Sequence, residues 1–299
     1  MERKILSIAP SFNCSLKCEG CYLTSEVSRE MRDATKDDYY WNRAMEEAVR
    51  SGFKEFAMTL NPFPGAIEHT VKLARMAKQH GFEVINVTAT HHSFLDSDGD
   101  WISESRDLVD IANIITISVD DQRFDSWRDA FRTISDIDDE LCETNFYTSG
   151  KTFNINLLWT PKVFEWFESP NDMDEDFDAI LGWRNDEQGG ITVQHLIYKP
   201  LSLYGSEEKF LERYNNVLQN AEYIKIGGNG KDQVGDVAFG NRLGMNQCPG
   251  RYMVDIDPMG FVRKCPENPD SFDATNIAKL KKFLDNGVPG CDATKCNCI

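Results

Sequence analysis

The 299-residue chain has no apolar run approaching the ~20 residues that a membrane helix needs. It has no low-complexity tract and no internal repeat at a fixed period. With 41% hydrophobic and 27% charged residues, it falls outside the disordered and collagen-like classes. Met1 to Lys4 lead into only a short apolar stretch ending at Pro10, without the apolar core and cleavage site of a secretory leader. The expected location is therefore cytoplasmic, with no membrane partner. Basic charge is scarce too: 32 Lys and Arg face 49 Asp and Glu, a net charge of −17. Such a surface repels phosphate backbones, so nucleic acid is not the expected partner.

The acids are unevenly spread. Residues 96–145 hold 15 acids and 4 arginines, whereas residues 248–299 hold 7 of each sign. The acidic stretch reads as a solvated outer helical face.

Cysteine is plentiful. Cys14, Cys18 and Cys21 crowd the N-terminus, and Cys248, Cys265, Cys291, Cys296 and Cys298 occupy the last 52 residues. Cys142 stands alone between them and reads as a small core residue. Nine cysteines, an odd number, in a chain without a leader do not suggest a secreted disulfide framework. Clusters of this kind in a reducing compartment point to metal.

Hydrophobic periodicity predicts alternating strands and helices. Strands are expected at Ile5–Ala9, Phe53–Leu60, Glu83–Ala89, Ile114–Val119, Phe153–Trp159 and Ile191–Tyr198. Helices are expected at Asp37–Arg50, Ile67–His80, Ser105–Ala112, Phe124–Leu141, Asp172–Trp183 and Glu207–Ala221. About six strand–helix units imply parallel strands joined by crossover helices. A closed or partial α/β barrel fits this pattern better than a doubly wound sheet. A Gly-rich stretch from Gly227 marks a boundary. The expected division is a barrel over 1–225, a linker over 226–247 and a small Cys-rich domain over 248–299.

The three N-terminal thiolates follow the first strand at spacings of four and three residues. A loop of that length can wrap three sulfurs around one face of an iron–sulfur cubane, leaving one iron open for chemistry. Structural zinc instead favours paired cysteines with a fourth ligand close in sequence, which is missing here.

On these residues the chain resembles the radical S-adenosylmethionine (SAM) superfamily, whose signature is Cys-x3-Cys-x-φ-Cys after the first barrel strand. The resemblance implies that Cys14, Cys18 and Cys21 hold a [4Fe–4S] cluster. The open iron of that cluster chelates SAM, and reductive cleavage yields a 5′-deoxyadenosyl radical. Gly20 stands where the family usually has an aromatic residue, and Tyr22, the next aromatic, is the candidate for contact with adenine. Where the family commonly has Gly-Gly-Glu after the second strand, this chain has Thr59-Leu60-Asn61-Pro62. Asn61 brings no negative charge, so the contact to the SAM amino group is altered or moved. Ser118 and Asp120, at the fourth strand's end, sit where the family often binds ribose or carboxylate. Asn154 and Asn156 share one face of the fifth strand and could line a barrel mouth. Strand-end capping is the ordinary alternative for each polar residue. His91 and His92 follow the third strand, where at most one is expected to face the centre. His195 lies within the sixth strand. A structural role is the first reading of all three histidines.

In the C-terminal segment, Met253–Ile256 and Phe261–Lys264 read as a hairpin around Asp257-Pro258-Met259-Gly260. It would bring Cys248 and Cys265 together, and a helix at Asn276–Asp285 precedes the last three cysteines. Thiolates in this number suit iron–sulfur or zinc. The Cys-x11-Gly-x4-Cys spacing resembles the auxiliary-cluster extension of radical SAM enzymes, called SPASM or, shortened, twitch. The twitch form needs one auxiliary [4Fe–4S] cluster, held by Cys248, Cys265 and two of Cys291, Cys296 and Cys298, with Cys291 and Cys296 favoured.

The expected fold class is thus α/β: a partial (β/α)6 TIM-like barrel with a small C-terminal Cys-rich twitch domain. The resemblance implies a flavodoxin- or ferredoxin-type reductant and hydrogen abstraction from an unactivated carbon of a peptide or small metabolite, ending in oxidation or crosslinking. One alternative is an isomerase that rearranges an amino-acid-like group, even one attached to a nucleic-acid base. A second is a non-catalytic iron–sulfur or zinc scaffold.

Overall fold

The computed structural model describes residues 4–16, 18, 21, 35–63, 65–168, 191–197, 204–220, 253–264 and 270–289. The described residues up to Ile115, with those from Met253 onward, form one compact unit. Those from Thr116 to Asn220 form a second.

The first unit begins with β1 (Lys4–Ile8), α1 (Asp38–Arg50), β2 (Phe53–Thr59), α2 (Ala66–His80), β3 (Val84–Ala89) and α3 (Ser105–Ile111). A 3-10 turn over His91–Ser93 follows β3. Chain-distant elements complete the unit: β7 (Met253–Ile256), β8 (Phe261–Arg263), β9 (Phe272–Asp273) and α7 (Ile277–Asn286). Strand order here is β3-β2-β1-β7-β8-β9. β1 pairs in parallel with β2 on one side and with β7 on the other, while β8 and β9 are antiparallel additions.

Alternation along the strands gives this sheet two unlike faces. Leu6, Ile8, Phe56, Met58, Ile85 and Val87 are almost fully buried. In the same register, Ser7, Ala57, Asn86 and Asp255 form a row on the other face. α2 packs between α1 and α3, and α7 packs against α1. α1 puts Trp41, Ala44, Met45 and Ala48 into the core at helical spacing.

The hairpin of β7 and β8 matches the sequence expectation and shows why those residues turn. Asp257 Oδ1 accepts from Met259 N–H (2.9 Å) and Phe261 N–H (3.0 Å), and Gly260 takes φ +85° to close the turn.

β4 (Ile114–Val119) carries the chain into the second unit. There it is followed by α4 (Trp127–Glu143), β5 (Thr152–Trp159), α5 (Pro161–Glu168), β6 (Ile191–Ile197) and α6 (Glu207–Asn220). β5 and β6 are parallel and in register from Phe153 with Ile191 to Trp159 with Ile197. The core of this unit is aromatic. Trp159 lies 4.8 Å from Phe164, 5.2 Å from Phe167 and 5.1 Å from Tyr214, centroid to centroid.

Two sequence expectations are corrected. α5 was not anticipated, although Thr160-Pro161 is a helix start: the Thr160 hydroxyl accepts from Val163 N–H (3.0 Å) and proline takes the first helical position. Cys142 is exposed, not core. α4 buries Trp127, Ala130, Ile134, Ile137 and Leu141, so the residue after Leu141 is turned about 100° off that stripe. The helix expected at 172–183 and the boundary near Gly227 lie outside the described residues.

Candidate functional site

The cysteine loop leaves β1 beside the hairpin. Ala9 N–H donates to the Ile256 carbonyl (2.9 Å), continuing the pairing of β1 and β7 past the strand end. Asn13 N–H then donates to Ser11 Oγ (2.9 Å), a local turn that swings the chain off the strand axis. Two bonds tie the loop to the exit of β2: Ser15 N–H to the Pro62 carbonyl (2.7 Å) and Asn61 Nδ2 to the Ser11 carbonyl (3.0 Å). Its floor is apolar, for Ala9 and Phe12 are buried together and Cys21 and Met259 pack against them.

Cys14, Cys18 and Cys21 are half-buried thiols in no disulfide. Cys21 N–H donates to the Cys18 carbonyl at 3.3 Å, a tight turn that keeps the last two close along the loop. Among the described residues, no three His, Cys, Asp or Glu side chains converge where they could hold a metal. In kind the donor set fits an iron–sulfur cluster: three soft thiols on one loop, half-screened from water, with Cys21 packed on an apolar floor. Cys248, Cys265, Cys291, Cys296, Cys298 and Tyr22 lie outside the described residues.

Asn61 lies at the loop with its amide N–H committed to Ser11. His91 and His92 occupy the 3-10 turn rather than continuing a strand, so their rings lie side by side with centroids 3.8 Å apart. Desolvation lowers the His92 pKa and favours the neutral ring. In the second unit, Ser118 is half-buried in β4. Asp120 is fully buried; its carboxylate pairs with Arg123 and accepts from Gln122 N–H (3.0 Å). Burial nevertheless pushes its pKa up against the pull of Arg123. On β5, the Oδ1 atoms of Asn154 and Asn156 are both buried without a hydrogen-bond partner among the described residues. Two orphaned acceptors on one strand face call for a polar guest. His195 pairs in register with Leu157, and its side chain lies outside the described set.

Other polar features were not anticipated. On the polar face of the first unit's sheet, Ser7 Oγ donates to Asp255 Oδ1 (2.6 Å) and Asn86 Nδ2 donates to Glu55 Oε1 (3.3 Å). A cavity of about 410 Å³ lies beside the cysteine loop, bounded by Ser15, Pro62 and Phe63, the first turn of α2, and Ser93 and Glu104 beyond β3. A polar residue inside an apolar strand run, such as Asp255 in Met253–Ile256, is the signal that could have found the first. No comparable pattern marks the cavity.

No family model and no curated protein matches the sequence. Among solved structures the chain is similar to anSMEcpe, an anaerobic sulfatase-maturating radical SAM enzyme, in two forms with bound AdoMet. The native form superposes with a TM-score of 0.57 at 16% identity, covering 95% of this chain and 81% of that one. The polyhistidine-tagged form gives 0.57 at 15% identity over the same shares. At such identity the likeness is one of backbone architecture, and what it shows is that this chain shares the fold of that protein.

Proposed function

We propose that this protein is a radical SAM enzyme. The observation that carries the reading is the placement of Cys14, Cys18 and Cys21 on one half-buried loop leaving β1, within a fold shared with a radical SAM enzyme. In this reading the three thiolates hold a [4Fe–4S] cluster. When bound, the cluster and SAM supply one electron and a 5′-deoxyadenosyl radical that abstracts hydrogen from an unactivated carbon.

The chain's own residues bind, orient and exclude water. Ala9 and Phe12 form a buried apolar floor under Cys21. Asn61 and the Ser15–Pro62 bond hold the loop against the exit of β2. In the second unit, Asn154 and Asn156 offer acceptors to polar groups of cofactor or substrate, and Ser118 and Asp120 are further candidates for contact with SAM. Asp120 would act there through its pairing with Arg123, which fixes the turn after β4.

The finer reading keeps a partial (β/α)6 barrel and a twitch-type C-terminal segment. There Cys248, Cys265 and two of Cys291, Cys296 and Cys298 hold an auxiliary cluster. A cluster held there would supply an electron acceptor, which favours oxidation or crosslinking of a peptide or small metabolite. A flavodoxin- or ferredoxin-type protein would be the reductant, in the cytoplasm. The test is anaerobic reconstitution with iron and sulfide counts, then reduction by dithionite with SAM and assay for 5′-deoxyadenosine. About eight irons per chain, and 5′-deoxyadenosine that Cys18→Ala abolishes, is the expected result. SAM consumed once per product supports oxidation, and its regeneration supports an isomerase. Iron without cleavage, candidate substrates included, would sink the enzyme reading in favour of a scaffold.

A further inference from the structure

Ser11 and Ser15 stand on either side of Cys14 in the sequence, and both are tied to the exit of β2. The Ser11 carbonyl accepts from Asn61 Nδ2 (3.0 Å), and Ser15 N–H donates to the Pro62 carbonyl (2.7 Å). Two consecutive residues thus hold the stretch 11–15 at both its ends, with Cys14 between them. The stretch is also closed on itself: Ser11 is 5% exposed, and its Oγ accepts from Asn13 N–H (2.9 Å).

The residues that do the holding are themselves fixed. Leu60 is 2% exposed, and its N–H donates to the Thr88 carbonyl (2.8 Å), which carries the pairing of β2 with β3 up to the residue before Asn61. Pro62 has its φ locked by its ring and keeps Asn61 out of the helical region. The Phe63 carbonyl then accepts from Ala66 N–H (3.0 Å), so the segment runs directly into α2.

The contact to Ser11 is selective in its chemistry. A backbone carbonyl can only accept, so the group that faces it must be a donor. Aspartate at position 61 has the size of asparagine but would set two acceptors against each other. Alanine would take away the donor without adding charge. Every bond in this arrangement joins groups of the chain itself, so none of it needs a metal in order to form.

We infer that Asn61 is a positioning residue: together with the Pro62 carbonyl, its amide clasps the loop on both sides of Cys14 and presets that thiol before any cluster is bound. Setting one thiol in advance reduces the ordering that metal capture would otherwise demand of the loop. The inference rests on the reading above only in calling Cys14 a cluster ligand.

The test uses the full chain, stripped of metal by chelation and kept reduced. Hydrogen exchange read by mass spectrometry reports on Ser15 N–H, which belongs to the other half of the clasp. In Asn61→Ala and in Asn61→Asp this amide should exchange about tenfold faster than in the parent chain, while the amides of Leu60 and of Ala130 in α4 keep their rates. A residue that merely stabilised the fold would move all three amides together. Alkylation by iodoacetamide reports on the thiol itself, with Cys142, exposed on α4, as internal reference. Asn61→Ala should raise the rate at Cys14 relative to Cys142 about tenfold. Rates within about twofold of the parent at both Ser15 and Cys14 would overturn the inference. So would faster Ser15 exchange in Asn61→Ala than in Asn61→Asp, since the contact would then act by packing and not through its donor. Should Asn61→Asp fail to fold, Asn61→Ala decides alone by the same twofold limit. A released loop in a chain that never forms 5′-deoxyadenosine would defeat only the enzyme reading. An unmoved loop in a chain that does form it would defeat only this inference.

Discussion

Asp255 shows how one residue can record the logic of the polar sheet face. It is 2% exposed, accepts from Ser7 Oγ and lies across the hairpin from Arg263. Burial raises its pKa from 3.8 to about 6, with Ser7 and Arg263 pulling the other way and Asp257 adding to the rise. Because the ionised form is the penalised one, protonated Asp255 contributes stability below pH 3.8, and that contribution is lost as pH rises through about 6. Asp255→Asn keeps an acceptor for Ser7 and cannot ionise. Its stability relative to the parent protein should rise between pH 4 and pH 7.5 by about 2 kcal/mol, most of the worth of roughly two pKa units. Urea unfolding of both proteins at the two pH values measures this, and a flat difference would mean that Asp255 is solvated. No sequence pattern discloses this pair, because its members are 248 residues apart and meet only through the parallel pairing of β1 with β7.

At the scale of elements, the two hairpin strands show what local chemistry can specify. An Asp-Pro-x-Gly turn between short apolar runs was legible because Asp257 and Gly260 are each demanded by the turn itself. A Cβ on Gly260 would lie 2.6 Å from Lys36 Cε and 3.2 Å from the Thr275 backbone, at φ +85°. Gly99 has the same φ with open space around it. Gly99→Ala should therefore cost only the left-handed conformation, about 1–2 kcal/mol. Gly260→Ala should cost more, by an amount set by how far Lys36 and the Thr275 backbone can give way. Thermal melts of the two variants make the comparison, and equal losses would refute the close approach. Most strands and long helices of both units were readable because alternation and helical spacing persist over their length. The eight-residue α5 was missed because its apolar residues, Val163, Phe164 and Phe167, are too few to set a period. Its Thr-Pro start was the available sign. At the candidate site, the cysteine spacing was legible as one loop. The cavity was not, since its walls come from residues 15, 62–68 and 92–104, which only the sheet brings together.

For the whole molecule, the consequential fact is that the C-terminal hairpin is built onto the first strand. β7 pairs with β1 from Ile5–Met253 to Ile8–Ile256, and Ile256 then takes the Ala9 N–H where the cysteine loop begins. Met259 packs on the loop's apolar floor, and the backbone N–H of Lys36, near the start of α1, donates to the Pro258 carbonyl (2.8 Å). The C-terminal segment therefore shapes the N-terminal thiol loop, independently of any metal that it binds itself. Two variants separate these roles. A chain ending at Gly244 keeps Cys14, Cys18 and Cys21 but loses the strand beside β1, which lays bare a pairing edge and removes the loop's anchor. It should hold well under four irons after reconstitution and should tend to aggregate. A full-length chain with Cys248, Cys265, Cys291, Cys296 and Cys298 all changed to serine keeps the hairpin, and should retain about four irons and an intact N-terminal site. If the truncated chain reconstitutes as well as the serine variant does, the hairpin is dispensable to the cysteine loop, and the bonds from Ser15 and Asn61 to the β2 exit suffice to hold it.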